Sequence, residues 1–333
     1  MRLNRVVLII ISGLVLLDAG IGFEVYRLQS PVPATGEAKV VLVEPGMTVA
    51  QIATRLEDAR LIRSAHWFRL LARYRGVDGR LRVGRYRLET GLTVDTVLNR
   101  LVSGMGREEQ VTIPEGFELS QVAGILRAKA GIDSVQFMAL VRDSTVAASL
   151  GIDAPTLEGY LFPNTYNIYW QMAPELIIRE MTAQFTQVFD ERYAQQAQRW
   201  GFTLHEAVTL ASIIEREAQL EEERAIISGV FHNRLRIGQR LESCATIEYV
   251  LGVPKPRLFE NDLKIPSPYN TYLHEGLPPG PICSPGRASL EAALFPKDVP
   301  YLYFVARGDG GHIFSRSNDE HVTAKLRVQR KAT

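Results

Sequence analysis

The sequence predicts an α+β protein carried behind an apolar N-terminal segment, and three observations predict it. A strand–turn–helix pattern occurs twice in the first half of the chain, starting at Val41 and again at Val111. Helical periodicity dominates residues 174–235. The chain then closes on a hairpin pattern, Tyr301–Val305 and His312–Phe314, around a Gly-rich turn. At 333 residues, 46% of them hydrophobic, there is material for two or three domains with a sizeable core. The 38 basic and 37 acidic residues nearly cancel, which argues against bulk attraction to nucleic acid. No Gly-rich phosphate or dinucleotide loop is present, and no cofactor is expected.

The first element is the run "VVLIIISGLVLLDAGIGF", Val6 to Phe23, near the shortest length that spans a bilayer. Arg2 and Arg5 precede it, so residues 1–5 read as a cytoplasmic tail and 6–23 as a transmembrane anchor. Asp18 is costly in hydrocarbon but sits near the outer end, within reach of the headgroups. A cleaved signal peptide is the rival reading, but no small-x-small site directly follows the apolar run. The expectation is therefore a single-pass protein of the cytoplasmic membrane whose remaining residues lie outside it, in the periplasm. Residues 24–39, with "RLQSPVPATGEAK", have linker composition.

Residues 40–155 read as a small α+β region built on the repeat. "VLVEPGMTVAQIATRL" and "VTIPEGFELSQVAGIL" align so that Val43 matches Ile113, Gly46 matches Gly116, Gln51 matches Gln121 and Leu56 matches Leu126. Thr48 and Glu118 stand near the two helix starts, where a polar cap or an acid is favourable. This β-turn-α pattern resembles the first half of a LysM carbohydrate-binding module; a repeated supersecondary unit without a ligand is the other reading. Between the copies, Arg82–Leu88 alternates like a strand, and Thr93–Gly104 is a helix stopped by glycine.

Residues 156–333 read as a second, helix-rich domain. "TLEGYLFPNTYNI" opens it as an ordered loop, since Pro163 argues against a strand centre. Helices follow to about Leu235, then a loop-rich section from Ser267 to Gly286, then a short helix, Arg287–Pro296, ended by proline.

The helix pattern over residues 204–219 carries the main chemical signal. At 100° per residue, Leu204, Ala207, Leu210, Ala211, Ile214 and Ala218 share one face. Glu215 falls on one margin of that face and Glu217 on the other. A carboxyl at such a margin is partly desolvated, which raises its pKa and suits a general acid. Periodicity does not choose between the two, and it leaves open that both are rim charges paired with Arg216 or Arg224. Asn233, Tyr269, Asn270 and Tyr272 add amides and phenols beside aromatic faces, a mixture that suits sugars. His66, His205, His232, His274, His312 and His321 are scattered without ligand spacing, so no metal site is expected. His312 is a candidate substrate contact or a satisfied structural histidine. Cys244 and Cys283 fit an oxidising compartment, but spacing alone does not pair them, and two buried free thiols fit equally well.

The motifs "EGYLFPNTY", "LASIIEREA", "VFHNRLRIGQRLES", "PYNTY", "GLPPGPI" and "YLYFVA" followed by "GGHIFS" together resemble the YceG-like (MltG) endolytic murein transglycosylases over nearly the whole chain. That resemblance implies cleavage of the β-1,4 bond between N-acetylmuramic acid and N-acetylglucosamine in peptidoglycan strands, leaving 1,6-anhydro ends. It makes Glu215 the catalytic residue and residues 156–333 the catalytic domain. Glu217 and Glu158 become supporting groups, and Asn233, Tyr269, Asn270 and Tyr272 substrate contacts. It implies wall-synthesis proteins as partners, with strand elongation ended by the cut. Two departures stand out. The family's "EGYLFPDTY" has Asp where this chain has Asn164, and many relatives read "LQSDPT" where this chain has "LESCAT". Cysteines at such positions favour a Cys244–Cys283 disulfide. The alternatives are a peptidoglycan hydrolase pairing Glu215 with Glu217, Asp262 or Glu275, and a non-enzymatic wall-binding scaffold.

Overall fold

The structure, a computed structural model, describes residues 26, 30–44, 46–104, 109–253, 255 and 258–331. The expected anchor at 6–23 lies outside the described residues. Among those described, no helix is long and apolar enough to cross a membrane. The fold is mixed α+β, helix-rich with small two-stranded sheets, and it divides into two compact units. One takes the chain up to residue 109 with 167–171, and the other takes 110–166 and 172–333.

The first unit runs β1 (Ala38–Val43), α1 (Val49–Asp58), α2 (Ala65–Tyr74), β2 (Gly84–Glu89) and α3 (Val94–Ser103). β1 and β2 pair antiparallel, with Ala38 opposite Glu89 and Val43 opposite Gly84. In β2 the alternation is strict: Gly84, Tyr86 and Leu88 turn inward, while Arg85, Arg87 and Glu89 face out. Val41, Val43, Ile52, Leu56, Phe68, Tyr86 and Leu98 form its core. Gly104, left-handed at φ 71°, ends α3 where the sequence places the stop.

The second copy of the repeat, β3 (Glu109–Thr112) and α4 (Leu119–Ala130), belongs mainly to the second unit. The two copies share a local device. The backbone N–H of Thr48 bonds Gln51 Oε1 at 2.8 Å, and that of Glu118 bonds Gln121 Oε1 at 2.9 Å. The repeat is thus a helix-start motif that satisfies an otherwise orphan donor. Next come α5 (Ser134–Val141) and α6 (Ser144–Ser149). The segment expected to be a loop, 156–168, is one as far as Asn164, but its last residues form β4 (Thr165–Ile168), whose Thr165 hydroxyl bonds that of Thr112 in β3.

The helical stretch resolves into α7 (Pro174–Val188), α8 (Glu191–Trp200), α9 (Leu204–Glu217) and α10 (Glu221–Arg236). α9 starts on a full capping box, Thr203 with Glu206. Residues 207–214 of α9 are all buried, because it packs against α10, α11 (Cys244–Leu251) and α12 (Arg287–Leu294). It stops at Glu217, since Ala218 turns extended at φ −85° and ψ 115°. The chain closes with the antiparallel hairpin β5 (Tyr303–Ala306) and β6 (His312–Ser315), followed by α13 (Asn318–Lys331).

Candidate active site

The site is built where the buried end of α9 meets two loops. Ser212, one turn before Glu215, accepts the N–H of Ile282 on its hydroxyl at 3.0 Å, and the Cys283 thiol donates to its carbonyl at 3.4 Å. This seats residues 282–286 along α9. The same segment bonds on its other edge to the turn of the second repeat copy. Gly116 N–H donates to Ser284 O at 2.9 Å, and Ser284 N–H donates to Phe117 O at 2.8 Å. Three stretches far apart in sequence are thereby stapled side by side, and the Glu215 side chain sits among them, 8% exposed.

Glu215 Oε2 accepts the backbone N–H of Gly286 at 2.9 Å and faces Arg224 Nη1 at 3.4 Å. Arg224, itself sheltered in α10, is steadied by donating to Ser289 Oγ at 2.9 Å. The pairing with Arg224 that the rim-charge reading allows is therefore real, but it lies inside the protein. No described protein group bonds Oε1. One oxygen is anchored and the other is free of described protein partners.

Glu115 is the residue that the sequence reading missed. It lies in the Pro-Glu-Gly turn, and its carboxyl packs against Gly286 so closely that a β-carbon there would overlap it. Burial and the neighbouring Glu215 charge push its pKa up, with Arg224 pulling the other way. The signal available in the sequence was a mismatch between the repeat copies, since Glu115 aligns with Pro45.

The second acid of α9 has a different task. Glu217 Oε1 accepts the hydroxyl of Ser243, and the N–H of Ala245 points at it from 3.5 Å. It caps the start of α11, whose own N-cap residue makes no side-chain cap bond. Burial raises its pKa, and the Ser243 bond opposes that. Glu158 is buried elsewhere in the unit, beneath the N–H of Leu119. Gly159 beside it is left-handed at φ 86°, and its bare α-carbon lets Pro281 approach, so the "EGYLFP" loop rests on "GLPPGPI".

The expected substrate contacts are mostly structural. Asn233 spends its amide on Val299 O and Tyr301 O at 2.7 and 3.0 Å, and its carbonyl accepts from Arg236, so it pins the chain leading into β5. Asn270, fully buried, donates to Leu263 O and Ile265 O and accepts the N–H of Tyr272. Both side chains thus make several hydrogen bonds within the fold, with Asn233 half-buried and Asn270 fully buried. Tyr272 Oη lies 3.1 Å from Cys244 Sγ, and the Tyr269 ring packs at a tilt against that of Tyr249. The expected Cys244–Cys283 disulfide does not form. Both thiols are free: Cys283 is buried on Ser212, while Cys244 is exposed beside Tyr272. Asp262 is tied to Lys255 at 2.7 Å, and Glu275 is exposed. His312 donates its backbone N–H to Glu223, and its Nδ1 lies 2.7 Å from the same carboxyl group. Among the described residues, no three His, Cys, Asp or Glu side chains converge as a metal site.

A helix-borne acid, anchored at one oxygen and open at the other, with a second acid beside it, makes this a candidate site for acid–base chemistry. The chain belongs to the YceG-like family, whose pattern matches residues 41–327. It is 34% identical to the endolytic murein transglycosylase of Bacillus subtilis strain 168, over 90% of this chain and 87% of that protein. It is 32% identical to the endolytic murein transglycosylase of Streptococcus pneumoniae serotype 2 strain D39, over 94% of this chain and 64% of that longer protein. A crystal structure of a YceG-like protein from Listeria monocytogenes superposes with a TM-score of 0.60 at 32% identity, covering 86% of this chain and 99% of the other.

Proposed function

We propose that this protein is an endolytic peptidoglycan lytic transglycosylase. It cleaves the MurNAc-β-1,4-GlcNAc bond within a glycan strand and leaves a 1,6-anhydro-MurNAc end. The observation that carries the reading is the state of Glu215: sheltered, bonded at Oε2 by Gly286 and Arg224, and unbonded at Oε1. Glu215 acts as the general acid through Oε1, passing a proton to the departing glycosidic oxygen. The carboxylate that remains is held by the Arg224 guanidinium and the Gly286 N–H. It then takes the proton of the sugar's own C6 hydroxyl as that oxygen bonds to C1. The attacking group is tethered to the ring, so proximity replaces an activated water, an advantage of up to about 7–11 kcal/mol in well-oriented systems.

Glu115 beside Glu215 keeps a second reading in view, hydrolysis by two carboxylates. Digestion of purified peptidoglycan followed by mass spectrometry of the ends separates the two. Anhydro ends made by the wild-type chain and lost in Glu215→Gln support the lyase; ends carrying an added water refute it.

Further parts of the proposal extend beyond the site. Residues 6–23 anchor the chain in the cytoplasmic membrane, supported by Arg2 and Arg5 before an apolar run whose one charged residue, Asp18, lies near its outer end. The first unit is LysM-like, supported by its strand–helix–helix–strand order. Cutting a nascent strand beside the membrane ends its elongation, which places wall-synthesis proteins among the partners.

A further inference from the structure

The second unit contains a recess of about 480 Å³ whose lining includes Glu118, Arg142, Glu158, Tyr249, Ser267 and Tyr269. Glu158 is one of its buried lining residues, 7% exposed. Both of its oxygens face the N–H of Leu119 in the first turn of α4, at 3.2 and 3.3 Å, and the N–H of Gly159 is a second backbone donor. Burial pushes its pKa up to about 8; the Leu119 bond pulls down and the Glu118 charge adds to the rise. Burial thus favours the neutral carboxyl, the form that can donate a proton to a bound group. No acceptor among the described residues is bonded to it, and a buried donor without an acceptor is unfavourable.

The rest of the lining says what acceptor fits. Tyr249 and Tyr269 lie with ring centroids 5.0 Å apart and planes tilted by 47°. Aromatic faces next to a neutral hydrogen-bond donor suit a molecule with apolar C–H faces and uncharged oxygens, which describes an N-acetylated sugar. The recess also has a physical link to the catalytic acid. Glu118, on its wall, pairs with Arg216 Nη1 at 3.6 Å, and Arg216 is the residue after Glu215. Gly116, two residues before Glu118, lies against the Glu215 side chain.

We infer that this recess is a glycan subsite that holds one N-acetylated sugar residue, with Glu158 donating to a sugar oxygen and the Tyr249–Tyr269 pair taking the ring face. The inference rests on the reading that glycan is the substrate. It gives Tyr269 and Glu158 direct roles in binding, and it assigns the selection of the bound strand to a place apart from the bond that is cut.

The test measures binding of purified, peptide-free glycan strands to the full chain carrying Glu215→Gln, so that nothing is cleaved. In that background Glu158→Leu removes the donor, Glu158→Gln keeps one, and Ser120→Trp, at an exposed lining position, narrows the recess while leaving residue 158 unchanged. Thermal melts establish that each variant is folded. Glu158→Leu and Ser120→Trp are expected to raise Kd at least tenfold, and Glu158→Gln to stay within about threefold of its parent. An unchanged Kd in either folded blocking variant overturns the subsite, as does a parent chain that binds no glycan. The wild-type chain is assayed in parallel for anhydro ends. Binding lost in Ser120→Trp while the wild type makes no such ends refutes the transglycosylase alone. Normal ends with unchanged binding refute the subsite alone.

Discussion

The Glu115 carboxyl packs directly against the α-carbon of Gly286, the residue whose N–H holds Glu215. Gly286 has an ordinary extended backbone, φ −77° and ψ 172°, that any residue adopts. The absence of a side chain is therefore a matter of room for Glu115 and not of backbone freedom.

Gly286→Ala should drive the Glu115 carboxyl out or pull the Gly286 N–H off Glu215. Activity is expected to fall at least tenfold. In a Glu115→Ala background the same change should cost far less, because the space is already open. The coupling energy should lie within the range of about 0.5–3 kcal/mol seen for residues in contact. Strictly additive effects in a cycle of cleavage rates would show that the two groups do not share that space.

The two acids at the site should separate in their neutral variants. Glu215→Gln removes the proposed proton donor, and a positioned acid–base group typically contributes about 10²–10⁴-fold in rate. Glu115→Gln keeps the shape and drops the charge. The lyase reading expects it to slow the reaction while every new end remains an anhydro sugar. If Glu115→Gln abolishes turnover as fully as Glu215→Gln does, the two-carboxylate hydrolase gains ground.

Glu217→Gln should behave as a change to a helix cap. The carboxylate faces the start of α11 and accepts from Ser243, and loss of a cap costs about 0.5–2 kcal/mol. Denaturant melts should show that loss, while cleavage at a temperature where the variant is folded stays within about threefold of wild type. A stable variant with no activity would move Glu217 into the chemistry.

The division between Glu215 and Glu217 marks where sequence reading stops. Local order was legible: the α9 face, the strand alternation through Tyr86 and Leu88, the glycine stop at Gly104 and the closing hairpin all follow from nearest-neighbour patterns. Periodicity put both acids on margins of the same face, and only the partners differ. Gly286 reaches Glu215, and Ser243 reaches Glu217, across 71 and 26 positions of chain. The amides of Asn233 and Asn270 meet loop carbonyls within the fold, partners that do not show in sequence. Glu115 was hidden in a turn, where no periodic face points to it.

The free thiols have a direct chemical check. Cys244 is exposed and Cys283 is buried under Ser212. Iodoacetamide applied to the folded chain without reductant should label Cys244 alone, and unfolding without reductant should expose Cys283 as well. Failure to label either residue after unfolding, reversed by a reductant, would restore the disulfide.

Glu158 makes the stability of the second unit depend on pH, with a definite sign. Its pKa lies near the ordinary carboxylate value of 4.5 in the unfolded chain and about 8 in the fold, where burial holds the neutral form. Between those values the folded state keeps a proton that the unfolded state has lost. Its contribution is therefore fully present below the unfolded value and is lost as pH rises through the folded one, at a slope of about 1.4 kcal/mol per pH unit inside the window. Glu118 and Glu217, also raised by burial, add loss of the same sign in wild type and variant alike, so the difference between the two chains isolates position 158. Glu158→Gln has no proton to lose. Unfolding free energies measured from pH 5 to pH 8 should fall less steeply for the variant than for wild type, and the variant should gain on wild type as pH rises. Parallel curves would mean that Glu158 ionises in the fold as readily as in water, and that it holds no proton to offer a sugar.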